Sequence, residues 1–471
     1  MNRDIGIVHL GLGNFHRAHQ AVYTQAVLAA DPRWGICGVS LRSAGVVAEL
    51  RAQGMRYTVL ERSPAGTRPQ AITAIREALR GDREMPLIID RIAASATQVV
   101  SLTVTEKGYC HDPATGRLDV SHPDIVHDLA HPDAPSSAPG VLLRGLEARR
   151  RHGTPLTVVC CDNLPHNGVM VGALVRELTG RIDEDLARWI ERDVAFPSTM
   201  VDRIVPATTE ADREAARALG LADAIPVATE PFSQWVIEDR FAGARPGWDA
   251  AGAQLVADVA PFELMKLRLL NGAHSTMAYL GYLAGHHFIH QVSTEPLFER
   301  LIGRLWDELV PTLPAALFGI AGVDVQAYRR ALMQRFRNVA LPHRTSQIAM
   351  DGSQKLPQRL IGAARERLSR GESVDTIALA IAAWMRYAAG TDEHGRPIDV
   401  RDPLATTFAR IASLAAGDPA ALARGMLGVE AVFGTLGTNP DFAATVTRHL
   451  QRLFSMGAAG AIACHLRSQA P

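Results

Sequence analysis

Short apolar runs alternate with helix-period stretches over the first half of the chain. The β-branched, apolar runs occupy residues 5–11, 34–41, 55–62, 97–106 and 154–163. Between them lie stretches with apolar residues at helical spacing, such as AHQAVYTQAVLAA and PLIIDRIAASA. Continuous apolar strands that alternate with helices are typical of a parallel sheet covered on both faces. The pattern therefore predicts an α/β fold with a doubly wound sheet.

From about residue 260 the pattern changes to long helical stretches rich in Ala and Leu. Examples are PLFERLIGRLWDELVPTLPAAL, VDTIALAIAAWMRYAAG and TVTRHLQRLFSMGAAGAIACHL. We predict a mostly α-helical second domain. The Pro- and Gly-bearing stretch AGARPGWDAAGAQ marks the boundary, which gives domains of residues 1–250 and 251–471.

Composition excludes several classes of partner. The chain has 471 residues, of which 49 are basic and 49 acidic, so its formal net charge is zero. Nucleic-acid and membrane-surface partners usually require a basic excess, so we expect neither. The five cysteines show no paired metal-ligand spacing, and there is no signal peptide or long apolar span. We therefore expect a cytoplasmic protein without disulfide bonds or a metal site.

The first apolar run ends in a glycine-rich turn, GLGNFHRAHQ. Gly11 and Gly13 match the first two glycines of G-x-G-x-x-G, but His16 stands at the third position. Such a turn opens the first crossover helix and lets backbone N–H groups approach a pyrophosphate; a plain strand–helix turn would explain the pattern as well. The candidate cofactor-binding residues are Leu10, Gly11, Leu12, Gly13, Asn14, Phe15, His16 and Arg17.

Two further stretches bear on the cofactor. The second apolar run ends in GVSLRSAG, which has no acid to hold the ribose hydroxyls of NAD. Its Arg42 could hold the 2′-phosphate of NADP or be an ordinary surface residue, so NADP stays open beside NAD. In SLTVTEKGY, Thr105 and Glu106 could face the cofactor or simply end a strand.

One predicted helix carries polar side chains within an apolar run, ELMKLRLLNGAHS. At about 100° per residue, Glu263, His274 and Asn271 lie about 60°, 80° and 140° from Lys266. Apolar neighbours would partly desolvate this lysine, which lowers its pKa towards neutral and makes it a candidate general base. Alternatively, the lysine extends to solvent, while the asparagine and histidine cap a kink at Gly272.

Two other polar stretches could bind a substrate. DNLPHNG closes the run at 154–163, and the amide of Asn163 could donate to a developing alkoxide, although turn chemistry would also explain it. HRTSQIAMDGSQKLPQR concentrates His343, Arg344, Lys355 and Arg359. Such a basic cluster suits a carboxylate or polyhydroxyl ligand, but a solvated loop would carry it equally well.

Seven motifs together resemble the mannitol dehydrogenase family of long-chain polyol and sugar-acid dehydrogenases. They are IVHLGLGNFHRAHQAVYT, SLTVTEKGYCHDPATG, CDNLPHNG, FPSTMVDRIVPAT, EPFSQWVIED, MKLRLLNGAHS and QIAMDGSQKLPQR. The resemblance implies an N-terminal Rossmann-type domain, a largely helical C-terminal domain and an active site in the cleft between them. It also implies a nicotinamide cofactor, most often NAD, and no catalytic metal.

The resemblance assigns roles to the polar residues. Lys266 is expected to be the general base, with Asn163 and Asn271 as the oxyanion hole. The other expected site residues are His274, which orients the substrate, Glu263, which relays the proton to water, and Asp202, which lies in the substrate site.

Different motifs indicate different substrates. TEKGYC and QIAMDGSQKLPQR resemble the fructuronate reductase branch, which interconverts D-mannonate and D-fructuronate. That branch needs a cation for the carboxylate, and Arg344 and Lys355 are the candidates; His343 is a further expected substrate-binding residue. CDNLPHNG resembles the mannitol 2-dehydrogenase branch, which interconverts D-mannitol and D-fructose. We expect the sugar acid as substrate, the polyol as the alternative, and a monomer or weak homo-oligomer.

Overall fold

The computed structural model describes residues 4–112, 115–320 and 323–468. The chain separates into two compact units, Met1–Ala260 and Pro261–Pro471, and each is described by itself. Within the described ranges, no helix is both long enough and apolar enough to cross a membrane.

The first unit is built on parallel strands. Its strands are β1 Ile5–Leu10, β2 Gly35–Ser40, β3 Tyr57–Ser63, β4 Gly66–Ile72, β5 Ile75–Arg80, β6 Val99–Leu102, β7 Leu156–Cys160, β8 Val194–Ala195, β9 Thr199–Asp202, β10 Val227–Thr229, β11 Gln234–Glu238 and β12 Gln254–Val256. Six of them form one parallel sheet in the order β5-β2-β1-β6-β7-β8. This confirms the predicted doubly wound sheet.

Helices cover both faces of this sheet. The helices of the first unit are α1 Asn14–Ala18, α2 Gln20–Val27, α3 Gly45–Ala52, α4 Met85–Ala93, α5 Pro123–Ala130, α6 Ala138–Arg150, α7 Asn167–Gly180, α8 Glu184–Asp193 and α9 Glu210–Ala218. Neighbouring residues of β1 enter opposite apolar clusters, Ile7 on one face and Val8 on the other. Every residue of β1, β2 and β7 is therefore buried, which explains their continuous apolar sequences.

One predicted strand lies outside the main sheet. The run at 55–62 becomes β3, which pairs antiparallel with β4 and parallel with β10 in a separate sheet. Its assignment to the main sheet was wrong, because hydrophobic periodicity does not identify a strand's partner. The main sheet instead uses β5, whose sequence IREALR contains three charged and three apolar residues without a continuous apolar run.

The first unit extends beyond the predicted boundary at residue 250. A third sheet has the order β12-β11-β9, and β12 pairs in parallel with β11 through Gln254–Val256. The Pro- and Gly-bearing stretch before it thus lies within the first unit. It holds a short 3₁₀ helix, Trp248–Ala251, whose Trp248 is buried.

The second unit is helical, as predicted. Its elements are α10 Ala260–Met265, π1 Lys266–Gly272, α11 Ala273–Leu283, α12 Ile289–Thr294, α13 Pro296–Leu309, α14 Ala315–Phe318, α15 Val325–Phe336, α16 Thr345–Ile348, α17 Gly352–Leu356, π2 Pro357–Ile361, α18 Gly362–Ser369, α19 Asp375–Ala388, α20 Ala405–Ala415, α21 Pro419–Leu427, α22 Glu430–Phe433 and α23 Pro440–Ser468. Thirteen consecutive residues of α19 are buried, and this helix packs against α11 and α23. A kink at Gly457 interrupts α23.

Candidate active site

The glycine turn follows β1 directly. Gly11 has a φ of +104°, and a Cβ there would lie 2.0 Å from the carbonyl oxygen of Thr103. Gly13 has an ordinary φ of −97°, and its Cβ would meet only Gly11 O, at 3.9 Å. The first glycine is thus required by the fold itself. The second leaves open space, as the close approach of a ligand would require.

Several side chains predicted at this turn are held within the protein. Leu10 and Leu12 are buried, so only their backbone atoms could contact a ligand. The Asn14 Nδ2 atom donates to Thr208 Oγ1 at 3.0 Å. The buried guanidinium of Arg17 donates to the side chain of Asn14 at 2.5 Å and to a main-chain carbonyl at 2.7 Å. Phe15 is half-buried, and its ring centroid lies 5.0 Å from that of His19.

His16, at the third glycine position, is buried and stacks on His9 of β1 with ring centroids 3.4 Å apart. His9 makes hydrogen bonds to Ser101 Oγ at 2.8 Å and Thr103 Oγ1 at 2.9 Å. Burial lowers the pKa of His9 to about 3 and holds that of His16 well below its ordinary value. Two neutral imidazole rings therefore lie between α1 and β1, where the third glycine of G-x-G-x-x-G would allow the helix and the strand to pack closely. His9 was missed because nothing local marks it.

The loop after β6 is tied to the end of β7 by Asp162. Its Oδ2 accepts hydrogen bonds from Val104 N at 2.9 Å and Tyr109 Oη at 2.6 Å, and its Oδ1 accepts one from Thr105 N at 3.3 Å. Thr105 has a φ of +71°, which is strained for a β-branched residue. Glu106 is exposed and begins the short 3₁₀ turn that follows. Asp162 thus holds Thr105 at the carboxyl edge of the sheet.

The loop that carries Asn163 is fixed to β9. The buried Asn167 donates from Nδ2 to the carbonyls of Asp162 and Thr199, both at 2.9 Å, and its Oδ1 accepts from Thr199 N at 2.9 Å. Asp202 ends the same strand and is buried. Asp162 and Asn167 were missed as supporting residues, although both flank Asn163 in DNLPHN.

Lys266 and Asn271 belong to π1, which is inserted between α10 and α11. The backbone hydrogen bonds of a π-helix join residues five apart, so such residues lie about one turn apart on one face. The predicted angle of about 140° assumed an α-helix and is wrong for this segment. Lys266 is only 8% exposed, so most of its side chain is removed from solvent. Glu263 lies in α10, half-buried, just before π1.

His274, on α11, lies beside two other rings. The centroids of Phe336 and His343 are 5.4 and 5.6 Å from its own. Burial first, and then the positive charges of neighbouring basic groups, hold the pKa of His274 well below its ordinary value. Burial also lowers the pKa of His343. The structure thus brings together two histidines from separate motifs, and His274 is neutral at pH 7.

The segment 343–359 forms α16, α17 and π2 rather than a plain solvated loop. Lys355 is half-buried, and its Nζ donates to Met350 O at 2.6 Å. Burial lowers its pKa. The Arg359 guanidinium donates to Ser275 Oγ at 2.8 Å, and burial lowers its pKa to about 10. His343, Arg335, Lys355 and Arg359 all lie close enough to His274 to disfavour its protonation.

Arg344, the other predicted cation, has a different setting. It is exposed, and its guanidinium carbon lies 5.2 Å from the centre of the Phe288 ring. Its main chain forms a β-bridge with the same residue. Arg42 is also exposed, and it pairs with the carboxylate of Asp124.

Two groups of three possible metal ligands occur within the part of the chain that the structure describes. They are Cys110 with His122 and Asp124, and Asp375 with His449 and His465. In each group an arginine already contacts the carboxylate: Arg42 contacts Asp124, and Arg448 contacts Asp375 at 2.6 Å. The metal-independent reaction implied by the resemblance remains a prediction.

The doubly wound sheet with its glycine turn is typical of dinucleotide-binding domains, and the comparisons with known proteins show the class of protein, an oxidoreductase that acts on CH–OH groups. Residues 5–250 match the family model of the mannitol dehydrogenase Rossmann domain, and residues 258–454 match that of the mannitol dehydrogenase C-terminal domain. The chain belongs to the mannitol dehydrogenase family.

Curated relatives and solved structures agree with this assignment. The chain is 46% identical to the D-mannonate oxidoreductase of Escherichia coli K12, over 97% of this chain and 95% of that one. It is 38% identical to a mannitol 2-dehydrogenase of Cereibacter sphaeroides, over 96% and 94%. The Pseudomonas fluorescens mannitol 2-dehydrogenase, solved as a ternary complex with NAD and D-mannitol, matches with a TM-score of 0.83 and 36% identity, over 99% and 94%.

Proposed function

We propose that this enzyme interconverts a secondary alcohol and a ketone in a six-carbon sugar acid, with D-mannonate and D-fructuronate as the pair and NAD as the cofactor. The observation that carries the choice of a sugar acid is the set of basic groups around His274. Three cationic side chains, Arg359, Arg335 and Lys355, lie close enough to His274 to disfavour its protonation, and the imidazole of His343 lies beside them. A carboxylate bound there would meet the positive charges of these three side chains.

The residues of the glycine turn fit a dinucleotide. Gly13 presents backbone to open space, and the chain enters α1 directly after it. The backbone from Gly11 to Asn14 would hold the pyrophosphate, while the nicotinamide, when bound, supplies the hydride acceptor. The solved relative that contains NAD supports this choice.

The chemistry requires a base, donors to the alkoxide and an orienting group. We assign the base to Lys266, since burial disfavours a charged ammonium and favours the amine that accepts the alcohol proton. Asn163 and Asn271 would donate from their amides to the developing alkoxide. The neutral imidazole of His274 would orient the substrate hydroxyl. Glu263, before π1, would pass the proton to water.

Asp202 and the predicted cations complete the assignment. The buried carboxylate of Asp202 would accept a substrate hydroxyl. His343 and Lys355 would bind the carboxylate of a sugar acid, while the exposed position of Arg344 favours it less. Thr105 and Glu106 stay predicted cofactor contacts. A cytoplasmic location stays a prediction. A monomer or weak homo-oligomer stays a prediction.

The second candidate is D-mannitol with D-fructose. Mannitol 2-dehydrogenases among the relatives favour it, as does the DNLPHNG motif. NADH consumption by the purified protein, with D-fructuronate and D-fructose side by side, tests both. We expect the higher kcat/KM with fructuronate. A preference for fructose would replace the sugar acid by the polyol, and no turnover of either substrate would refute both.

A further inference from the structure

The main sheet has a switch point between β1 and β6. From β1 the strand order continues through β2 to β5 on one side, and β6, β7 and β8 follow on the other. In such sheets a ligand binds in the crevice beyond the carboxyl ends of the strands at that point. Arg42 lies two residues beyond β2, on one side of β1, and the loop with Cys110 follows β6 on the other.

The start of α5 lies on the β6 side of this crevice. Asp119 N donates to Cys110 O at 2.9 Å, and His122 N donates to Asp119 O at 3.1 Å, which brings the chain back to the loop after β6. His122 caps α5 by accepting from Asp124 N at 3.2 Å. The Asp124 carboxylate, the His122 ring and the Cys110 sulfur have ligand atoms within 4.8 Å of one another.

The side chains of Arg42 and Asp124 meet from the two sides of β1. Their guanidinium and carboxylate groups form an ion pair in which the arginine is 67% exposed and the aspartate 26% exposed. Arg42 alone, after the second strand and without an acid there, would suit the 2′-phosphate of NADP. Its charge is instead compensated by an acid from a segment more than eighty residues further along the chain.

We propose that Asp124 selects NAD over NADP, because it supplies from α5 the acid that is missing after β2. Its carboxylate neutralises Arg42, offers an acceptor for the ribose 2′-hydroxyl and repels a 2′-phosphate. This inference rests on the proposed dinucleotide-dependent function. Two like charges a few ångström apart near a protein surface repel enough to change affinity by about tenfold or more.

The test compares nucleotide binding rather than turnover alone. Asp124→Asn keeps the shape of the side chain and removes its charge. NADH and NADPH are titrated separately, and the dissociation constants are read from nicotinamide fluorescence. We expect the parent to bind NADH more tightly than NADPH. In Asp124→Asn, the dissociation constant for NADPH divided by that for NADH should be about tenfold smaller than in the parent. Arg42→Ala in the Asp124→Asn background should reverse that gain, because the phosphate then loses its cation.

A matched control removes a similar carboxylate elsewhere in the first unit. Glu177 pairs with Arg117 at 3.0 Å, with side-chain exposures of 20% and 72%. Glu177→Gln should leave the ratio unchanged. The inference is overturned if Asp124→Asn leaves the ratio at the parent value, or if both nucleotides lose affinity equally. A parent that binds neither nucleotide would instead refute the proposed function together with this inference.

Discussion

Lys266 and Asn271 are five residues apart on the π-helical segment π1, so they lie about one turn apart on the same face of one continuous helix. An α-helix would turn Asn271 about 140° away from the lysine. π-helical turns occur often at functional sites, and this one aligns the proposed base with a proposed donor to the alkoxide. The register of π1 is therefore part of the proposed catalytic geometry.

Replacement of Lys266 by Met should abolish most turnover and preserve nucleotide binding. The methionine fills the buried space of the lysine stem but cannot accept a proton, and loss of a general base typically costs about 10²–10⁴-fold in rate. Steady-state kinetics measure the loss, and NADH fluorescence checks the binding. Added small primary amines should restore part of the activity. A variant with the parent kcat would show that another group is the base.

The two glycines of the turn should respond differently to alanine. Gly11→Ala places a Cβ 2.0 Å from Thr103 O at a φ of +104° and should cost about 2–5 kcal/mol of unfolding free energy. Gly13→Ala meets nothing nearer than 3.9 Å, so its stability should change by no more than about 0.5 kcal/mol. Its added methyl should nevertheless weaken NADH binding. Urea unfolding and NADH titration separate the two effects, and full NADH affinity in Gly13→Ala would contradict a pyrophosphate at that turn.

Local patterns were enough to predict β1 and β2, the strands of the main sheet before and after the glycine turn. They were also enough to predict that polar side chains accompany Lys266. Each of these features is set by residues close together in sequence. The pairing of β3 with β4 and β10, and the contact between Arg42 and Asp124, could not be predicted, because they depend on long-range partners. The π-helical form of π1 was not predicted either. A mostly apolar run has the same composition whether it forms an α-helix or a π-helix.

Acid should destabilise the fold through its buried histidines, of which His9 is the clearest. Burial lowers its folded pKa to about 3, below the ordinary value of 6.5. Its contribution to stability is therefore complete above pH 6.5 and is lost as pH falls from there towards 3. Between pH 7 and pH 5 this one group should reduce the unfolding free energy by about 2 kcal/mol.

Urea unfolding across this pH range measures the effect. His9→Gln should flatten the pH dependence by about that amount, even though loss of the ring lowers stability at pH 7. His152 is exposed, and His152→Gln should keep the parent's pH dependence. An unchanged slope in His9→Gln would mean that His9 does not contribute to the acid destabilisation.

The two predicted cations should differ in their effect on a sugar acid. Lys355 is half-buried and lies close enough to His274 to disfavour its protonation, whereas Arg344 is exposed over Phe288. Lys355→Met should therefore raise KM for D-fructuronate by about tenfold or more and change KM for D-fructose much less, because only the acid offers a charge partner. Arg344→Ala serves as the comparison and should affect the two substrates alike. Steady-state kinetics with both substrates measure these effects. Equal losses with the two substrates in Lys355→Met would show that the lysine supports the fold of α17 and does not bind the substrate carboxylate. A loss restricted to D-fructuronate in Arg344→Ala would assign carboxylate binding to the arginine.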